Sequence, residues 1–351
     1  MTTPKPLNTI DGLIEAGLVP PSAAPVLEEV ASRYAIAVTP ALAALIDRAD
    51  PDDPIARQFI PAGAELAQTP EEMDDPIGDL THTPAPGVVR RYPDRALLMV
   101  THSCAAYCRF CFRRERVGPG GGGTLAGEAL ETALAYIAGE PQIWEVILTG
   151  GDPLVLSARR LGAILDRLAQ IEHVKIVRIH TRLPVVDPAR IDEALVATLR
   201  RRSGQTTYVA LHANHPRELT TEARAACARL VDAGIPMVSQ TVLLRGVNDN
   251  PEVLGDLMRA FVEAGVKPYY LHLADLAPGT AHLRAPLEEA QALMRRLRGR
   301  LSGLAQPTLI LDIPGGHGKV PVGPAYIEKT PGEGLTVEDP WGRRRPYPPR
   351  A

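Results

Sequence analysis

No apolar run in this chain approaches the ~18 residues needed to span a bilayer, and Met1 to Gly17 lacks the basic stretch followed by an apolar one that marks an export signal. The expectation is a cytoplasmic protein. Cysteine is scarce, at 4 in 351 residues, which excludes a disulfide scaffold. Aromatic residues supply only 4%, so the core must be aliphatic. Neither sign of charge dominates: 38 Lys+Arg against 41 Asp+Glu leave a net −3, too balanced for a protein whose main partner is a nucleic-acid backbone. Proline, by contrast, is plentiful at 34 residues and gathers before Pro93 and after Pro314, where it predicts ordered but irregular arms. Hydrophobic residues at 45% and charged residues at 23% are ordinary globular usage, and the length suits two average domains or a single α/β barrel.

From Arg95 to Asp312 short β-rich runs alternate with segments of helical period, the pattern of parallel strands joined by helical crossovers. Strands are expected at Ala96–Thr101, Trp144–Leu148, Val174–Ile179, Thr206–Leu211, Met237–Leu243, Tyr269–Leu273 and Thr308–Leu311. Between them, Leu161, Ile164, Leu165 and Leu168 fall on one helical stripe. The expected organisation is a mainly helical N-terminal arm over residues 1–80, with helical spacing in Ile10–Gly17 and Ala23–Tyr34, then a barrel over 81–312 and a C-terminal segment over 313–351. The patch Gly118 to Gly123 reads as a flexible loop, because it lacks the Gly-Lys-Ser/Thr ending and the preceding strand of a phosphate-cradling loop. Arg343 to Arg345 read as a solvated tail.

Reactive residues follow the strands, as they would at the C-terminal mouth of a barrel. Cys104, Cys108 and Cys111 follow the first; Gly150, Gly151 and Asp152 the second; His180 and Arg182 the third; His212 and His215 the fourth. Gln240 lies within the fifth, Asp275 follows the sixth and Asp312 the seventh. The cysteine spacing lets three thiolates converge from one loop on a compact inorganic centre. Three ligands on a four-iron cluster leave one iron open, whereas a closed zinc site wants four ligands. Cys227 shares a helical stripe with Ala223, Leu230 and Val231 and reads as a buried core thiol rather than a fourth ligand.

The run Cys104-Ala-Ala-Tyr-Cys108-Arg-Phe-Cys111, with Phe110 before the last cysteine, resembles the signature of radical S-adenosylmethionine enzymes. Together with Phe112-Arg113-Arg114, Arg91-Tyr92-Pro93-Asp94-Arg95, Leu148-Thr149-Gly150-Gly151-Asp152, Leu243-Leu244-Arg245-Gly246-Val247-Asn248-Asp249 and Pro314-Gly315-Gly316-His317-Gly318-Lys319, it resembles the lysine 2,3-aminomutase family from about Asp50 to about Gly323. The resemblance implies an α/β fold, a partial (β/α)6-type barrel, and three cofactors: a [4Fe-4S] cluster on Cys104, Cys108 and Cys111, S-adenosylmethionine, and pyridoxal phosphate on Lys319. It implies S-adenosylmethionine contacts from Gly150, Gly151, Asp152, Phe110, His212 and Gln240, and phosphate contacts from Arg91 and Arg95. Lys319 would act as an unprotonated amine.

For the substrate, the resemblance implies that Arg113 binds a carboxylate while Asp275 and Asp312 receive the distant ammonium of lysine. Two neighbouring carboxylates repel unless a cation sits between them, so the pair disfavours an acidic side chain. The implied reaction moves the α-amino group of L-lysine to give β-lysine, with an electron donor such as flavodoxin or ferredoxin and scope for a homo-oligomer. The chain departs from the longer clostridial-type enzymes in having no cysteine after Cys227 for their structural zinc. Its length is closer to the branch that prepares β-lysine for elongation factor P, while the aspartate pair resembles the free-lysine enzymes. The alternatives are an aminomutase acting on another amino acid or on a lysine destined for elongation factor P, a non-catalytic iron–sulfur protein, and a metal-dependent hydrolase using His180, His212, His215 and Asp275.

Overall fold

The structure is a computed structural model, and it describes residues 5–118, 120–200, 202, 204–330 and 334–348. The N-terminal arm holds the short helices α1 (Ile10–Glu15), α2 (Ala24–Arg33), α3 (Pro40–Leu45) and α4 (Ala56–Phe59). A sheet follows: β1 (Val88–Tyr92), β2 (Arg95–Thr101), β3 (Glu145–Gly150), β4 (Ile176–Thr181), β5 (Thr206–His212), β6 (Met237–Leu243), β7 (Val266–Leu273), β8 (Thr308–Asp312) and β9 (Lys319–Pro321), in that spatial order. Strands β2 to β8 are parallel, and antiparallel β1 and β9 close the two edges. The crossovers run through α5 (Gly127–Gly139), α6 (Ala158–Leu168), the pair α7 (Leu183–Val186) and α8 (Glu193–Leu199), α9 (Thr221–Asp232), α10 (Pro251–Glu263) and α11 (Leu287–Leu297). This is a partial α/β barrel of the expected class.

Local chemistry sets the element ends. Thr9, Thr39, Ser157, Asp192, Thr220 and Asn250 each accept a backbone N–H from the first turn of the helix they precede, and Pro40 and Pro251 sit where a missing N–H costs nothing. The stripe Leu161, Ile164, Leu165 and Leu168 is fully buried against the sheet, each side chain contributing roughly 1.5–3 kcal/mol. Cys227 is also completely buried in the aliphatic core.

No backbone ladder joins β1 to β9 among the described residues, so the barrel has a seam. Side chains cross it. Arg91 Nη1 donates to Asp312 Oδ1 at 3.0 Å, and the Lys319 N–H donates to the Tyr92 hydroxyl at 2.7 Å. The turn before Lys319 is seated on the arm: Gly315 N–H donates to Pro76 O at 3.0 Å, and a Cβ on Gly78 would lie 2.7 Å from Gly316 Cα.

The tail departs from the irregular arm expected from its prolines. Residues Ile327–Thr330 (β10), Gly334–Glu338 (β11) and Arg344–Tyr347 (β12) form a three-stranded antiparallel sheet, with Arg344 and Arg345 exposed in its last strand. The glycine patch after the cysteines is likewise more structured than a free loop: Gly118 N–H donates to His102 O, and His102 N–H to Gly123 O. Pro119 in that patch lies outside the described residues.

Candidate active site

Eight of the nine sheet strands place residues on one cavity of about 330 Å³, which requires the sheet to curl around it. Of the residues singled out from sequence, Cys104, Cys108, Cys111, Phe110, Arg113, Gly150, Gly151, Asp152, His212, Gln240, Arg91, Arg95, Asp275 and Lys319 all line this space. Asp312 stands just behind the wall, where it receives both Arg91 and the Lys319 ammonium. His215 is elsewhere, its Nδ1 accepting the Arg217 N–H at the turn Pro216–Glu218.

The cysteine loop is fixed from behind by the arm. Arg109 N–H donates to Gln58 O at 2.8 Å, and the Arg109 guanidinium grips both oxygens of Glu65, which also receives Arg114. Glu65 is fully buried; burial alone would raise its pKa, but Arg109 and Arg114 hold it below the usual carboxylate range. Burial and the neighbouring acids push the Cys104 thiol well above its ordinary pKa, and burial takes Cys111 up to about 11. Cys108 Sγ accepts Arg182 Nη1–H at 2.9 Å.

Gly150 and Gly151 press strand β3 onto this loop. A Cβ on Gly150 would lie 2.3 Å from Thr101 O and one on Gly151 2.3 Å from Ser103 O, so neither position has room for a side chain, and Gly150 adopts φ +108°. Asp152 accepts from Thr181 Oγ1 at 2.7 Å and from the N–H groups of Leu154 and Arg182, so its carboxylate ties the β3 and β4 loops together. Phe110 meets His212 edge-on at 5.5 Å, His212 Nε2 contacts Asn214 Oδ1 at 3.2 Å, and Gln240 Nε2 lies 3.4 Å from His180 Nε2. Burial holds His180 and His212 well below their ordinary pKa, and takes His272 down to about 3. These imidazoles are neutral walls.

The opposite side carries exchangeable charge. Burial, then the Arg91 cation, bring the Lys319 amine down to about 8. Burial raises Asp275 to about 6. Arg113 Nε donates to Asp79 Oδ2 at 2.7 Å, while its Nη2 has no protein partner among the described residues. Arg95 stacks on the Tyr92 ring at 3.8 Å.

Asp79 was not legible as a site residue. It lies in the arm, is 2% exposed, and has one oxygen without a partner. Gln58, Glu65 and Glu218 were missed for the same reason: no local pattern marks a residue whose side-chain partner is more than thirty positions away. Arg182 and His180 were visible from their place at a strand end.

The donor set suits the implied cofactors. Three thiols share the cavity, yet among the described residues no three His, Cys, Asp or Glu side chains gather as a single-ion site. Glycines without room for Cβ stand beside the thiols, and a lysine with a lowered pKa faces two arginines able to take a phosphate.

Similarity to known proteins places the chain in a class and then in a family. Residues 98–258 match the model of the radical SAM superfamily, which makes this a radical S-adenosylmethionine enzyme with an iron–sulfur cluster, and residues 294–333 match that described as lysine-2,3-aminomutase. The L-lysine 2,3-aminomutase of Clostridium subterminale is 42% identical over 83% of this chain and 70% of its own length. That of Escherichia coli is 40% identical over 79% of this chain and 80% of its own, and the glutamate 2,3-aminomutase of Clostridioides difficile 37% identical over 86% and 70%. The chain belongs to the lysine 2,3-aminomutase family and is an isomerase of the aminomutase class. No described helix is long and apolar enough to cross a membrane.

Proposed function

We propose that this enzyme converts L-lysine to β-lysine in the cytoplasm, with pyridoxal phosphate held by Lys319 and a [4Fe-4S] cluster held by Cys104, Cys108 and Cys111. The observation that carries the reading is the Lys319 amine, brought down to about 8, on the same cavity as the three thiols. When bound, the cluster with S-adenosylmethionine supplies a carbon-centred radical, and pyridoxal phosphate supplies the conjugated system that stabilises the migrating nitrogen.

The chain's own residues bind, orient and exclude water. Lys319 offers an amine that is about half free near pH 8 and increasingly so above it. Arg91 uses one terminal nitrogen on Asp312 and the Ile77 carbonyl, leaving other N–H groups for a phosphate, with Arg95 beside it on the same wall. The free Nη2 of Arg113 is available to a substrate carboxylate. Asp275 and Asp312 lie around the Lys319 cation, which occupies the kind of place a substrate ammonium would take. A second acidic group in the substrate would meet Asp275 on the wall with Asp312 behind it, so this pair favours lysine over glutamate. Ile77, Val89, Val117 and Val242 line the space and limit water that would quench a radical.

The test is anaerobic reconstitution with iron, sulfide and pyridoxal phosphate, then S-adenosylmethionine, dithionite and either L-lysine or L-glutamate. Mass spectrometry should find β-lysine and no β-glutamate, and Lys319→Ala and Cys108→Ala should each abolish it. S-adenosylmethionine cleavage by a fully loaded protein that leaves lysine unchanged would sink the substrate assignment.

A further inference from the structure

Arg182 is held on Cys108 by four separate segments. Its backbone N–H is pinned by Asp152 at 2.8 Å just after β4, and its side chain is only 7% exposed. Nη2 donates to Glu218 Oε2 at 2.6 Å and to Gln58 Oε1; the guanidinium lies 4.4 Å over Phe59 and 5.5 Å from the centre of Phe110. Nη1 donates to Cys108 Sγ at 2.9 Å.

The partners are immobile in turn. Glu218 and Gln58 are completely buried; the second oxygen of Glu218 accepts the N–H groups of Asn214 and His215 at 2.9 Å and Gln58 Nε2 at 3.2 Å. Asn214 Nδ2 donates to Gln58 Oε1 at 3.1 Å. Burying a guanidinium–carboxylate pair costs desolvation that a hydrophobic packing would avoid. If charge neutralisation were the whole purpose, Glu218 alone would suffice. Nε is buried without a partner among the described residues, while the other terminal nitrogen, Nη1, points at one sulfur, where a neutral thiol would be a weak acceptor and a thiolate a strong one. Among the described residues neither Cys104 nor Cys111 receives a side-chain donor of this kind, so the three sulfurs are not equivalent.

We propose that Arg182 is a positioning residue for the cluster, its Nη1–H on the Cys108 sulfur raising the potential at which the cluster accepts an electron, with Glu218 partly offsetting that charge. This rests on the reading of the three thiols as cluster ligands. The step is the gain of one electron by the oxidised cluster from an external low-potential reductant, with no bond made or broken. Hydrogen bonds to sulfur and nearby charge are among the determinants of such potentials, and a cation stabilises the more negative reduced form.

Wild type, Arg182→Gln, Arg182→Lys and Glu218→Gln would be reconstituted anaerobically with iron and sulfide, assayed for iron per chain, and poised with stepped dithionite while the reduced cluster is followed by electron paramagnetic resonance. Arg182→Gln should keep its iron while its reduced-to-oxidised ratio falls about tenfold at a fixed poise, a shift of about 59 mV to more negative potential for one electron. Arg182→Lys should recover part of that loss, and Glu218→Gln, which leaves the guanidinium unneutralised, should shift the opposite way. An unchanged potential in a fully loaded Arg182→Gln protein overturns the proposal. So does iron loss in both Arg182 variants, or a shift of the same sign in the Arg182→Gln and Glu218→Gln proteins, because a merely structural anchor would behave that way. A wild-type protein that takes up no cluster would instead overturn the cofactor reading beneath it.

Discussion

The two sides of the cavity use charge in opposite ways. Behind the cysteines, Arg109 and Arg114 are locked to Glu65 and Arg182 to Glu218, all of them buried, and Arg182 spends its other terminal nitrogen on the Cys108 sulfur. Around Lys319, the pairs Arg91–Asp312, Lys319–Asp312 and Arg113–Asp79 face the cavity or border it, and a bound molecule can replace one partner of each. Burial acts on both sides with opposite chemical results. It pushes the Cys111 thiol up to about 11, so that thiol ionises only when a metal takes the proton's place, and it brings the Lys319 amine down to about 8, where the nucleophilic form is within reach. One side is a fixed mount, and the other is a set of charges waiting for a substrate.

The comparison breaks most visibly in stability. Glu65→Ala strands Arg109 and Arg114 in the interior, and loss of a buried partner costs roughly 3–5 kcal/mol, to be read from denaturant midpoints. Asp275→Asn should do the reverse. Its carboxyl is raised from 3.8 to about 6, so the folded protein binds the proton more tightly than the unfolded chain, and the group's contribution to stability is lost as pH rises from 3.8 through 6. The neutral variant should therefore gain about 3 kcal/mol above pH 6 and nothing below pH 4, while its lysine affinity falls. A variant that loses stability at neutral pH would show that Asp275 is a mount rather than a poised charge.

Smaller effects sharpen the amine side. The initial rate of pyridoxal phosphate capture, followed by its absorbance, should fall about tenfold per pH unit below 8 and level off above it, since the Lys319 amine is protonated below its pKa of about 8. A capture rate still climbing at pH 10 would mean an unshifted lysine. Tyr92→Phe removes the acceptor for the Lys319 N–H at 2.7 Å and should cost about 1 kcal/mol of stability, with a modest loss in cofactor retention.

The barrel was legible because several parallel strands carry apolar runs, such as Ala96–Val100 in β2 and Val146–Leu148 in β3, and Met237–Leu243 has the same bounds in sequence and structure although Ser239, Gln240 and Thr241 interrupt it. At the start of β7 the reading fell short. β7 begins at Val266, before Lys267 and Pro268, and a register shift next to Ser239, opposite Pro268, accommodates the proline within the strand. The edge strands β1 and β9 went unread because Arg90 and Arg91 break the apolar run that Val88 and Val89 begin, in a strand that pairs with β2 across the Pro93-Asp94 turn, and because Lys319-Val320-Pro321 is too short to carry a strand pattern. At the site, residues after strands and within motifs could be named in advance. Asp79 and Glu65 could not, because their role comes from the arm folding back on the barrel.

The central claim is that the fixed thiol side and the poised amine side form one site. The most direct measurement is β-lysine formation by reconstituted Lys319→Ala beside wild type, with iron content and the cluster's paramagnetic signal recorded on the same samples. The account predicts a full cluster in both proteins and product only in the wild type. Product from Lys319→Ala, or loss of the cluster on removing this amine, would contradict it.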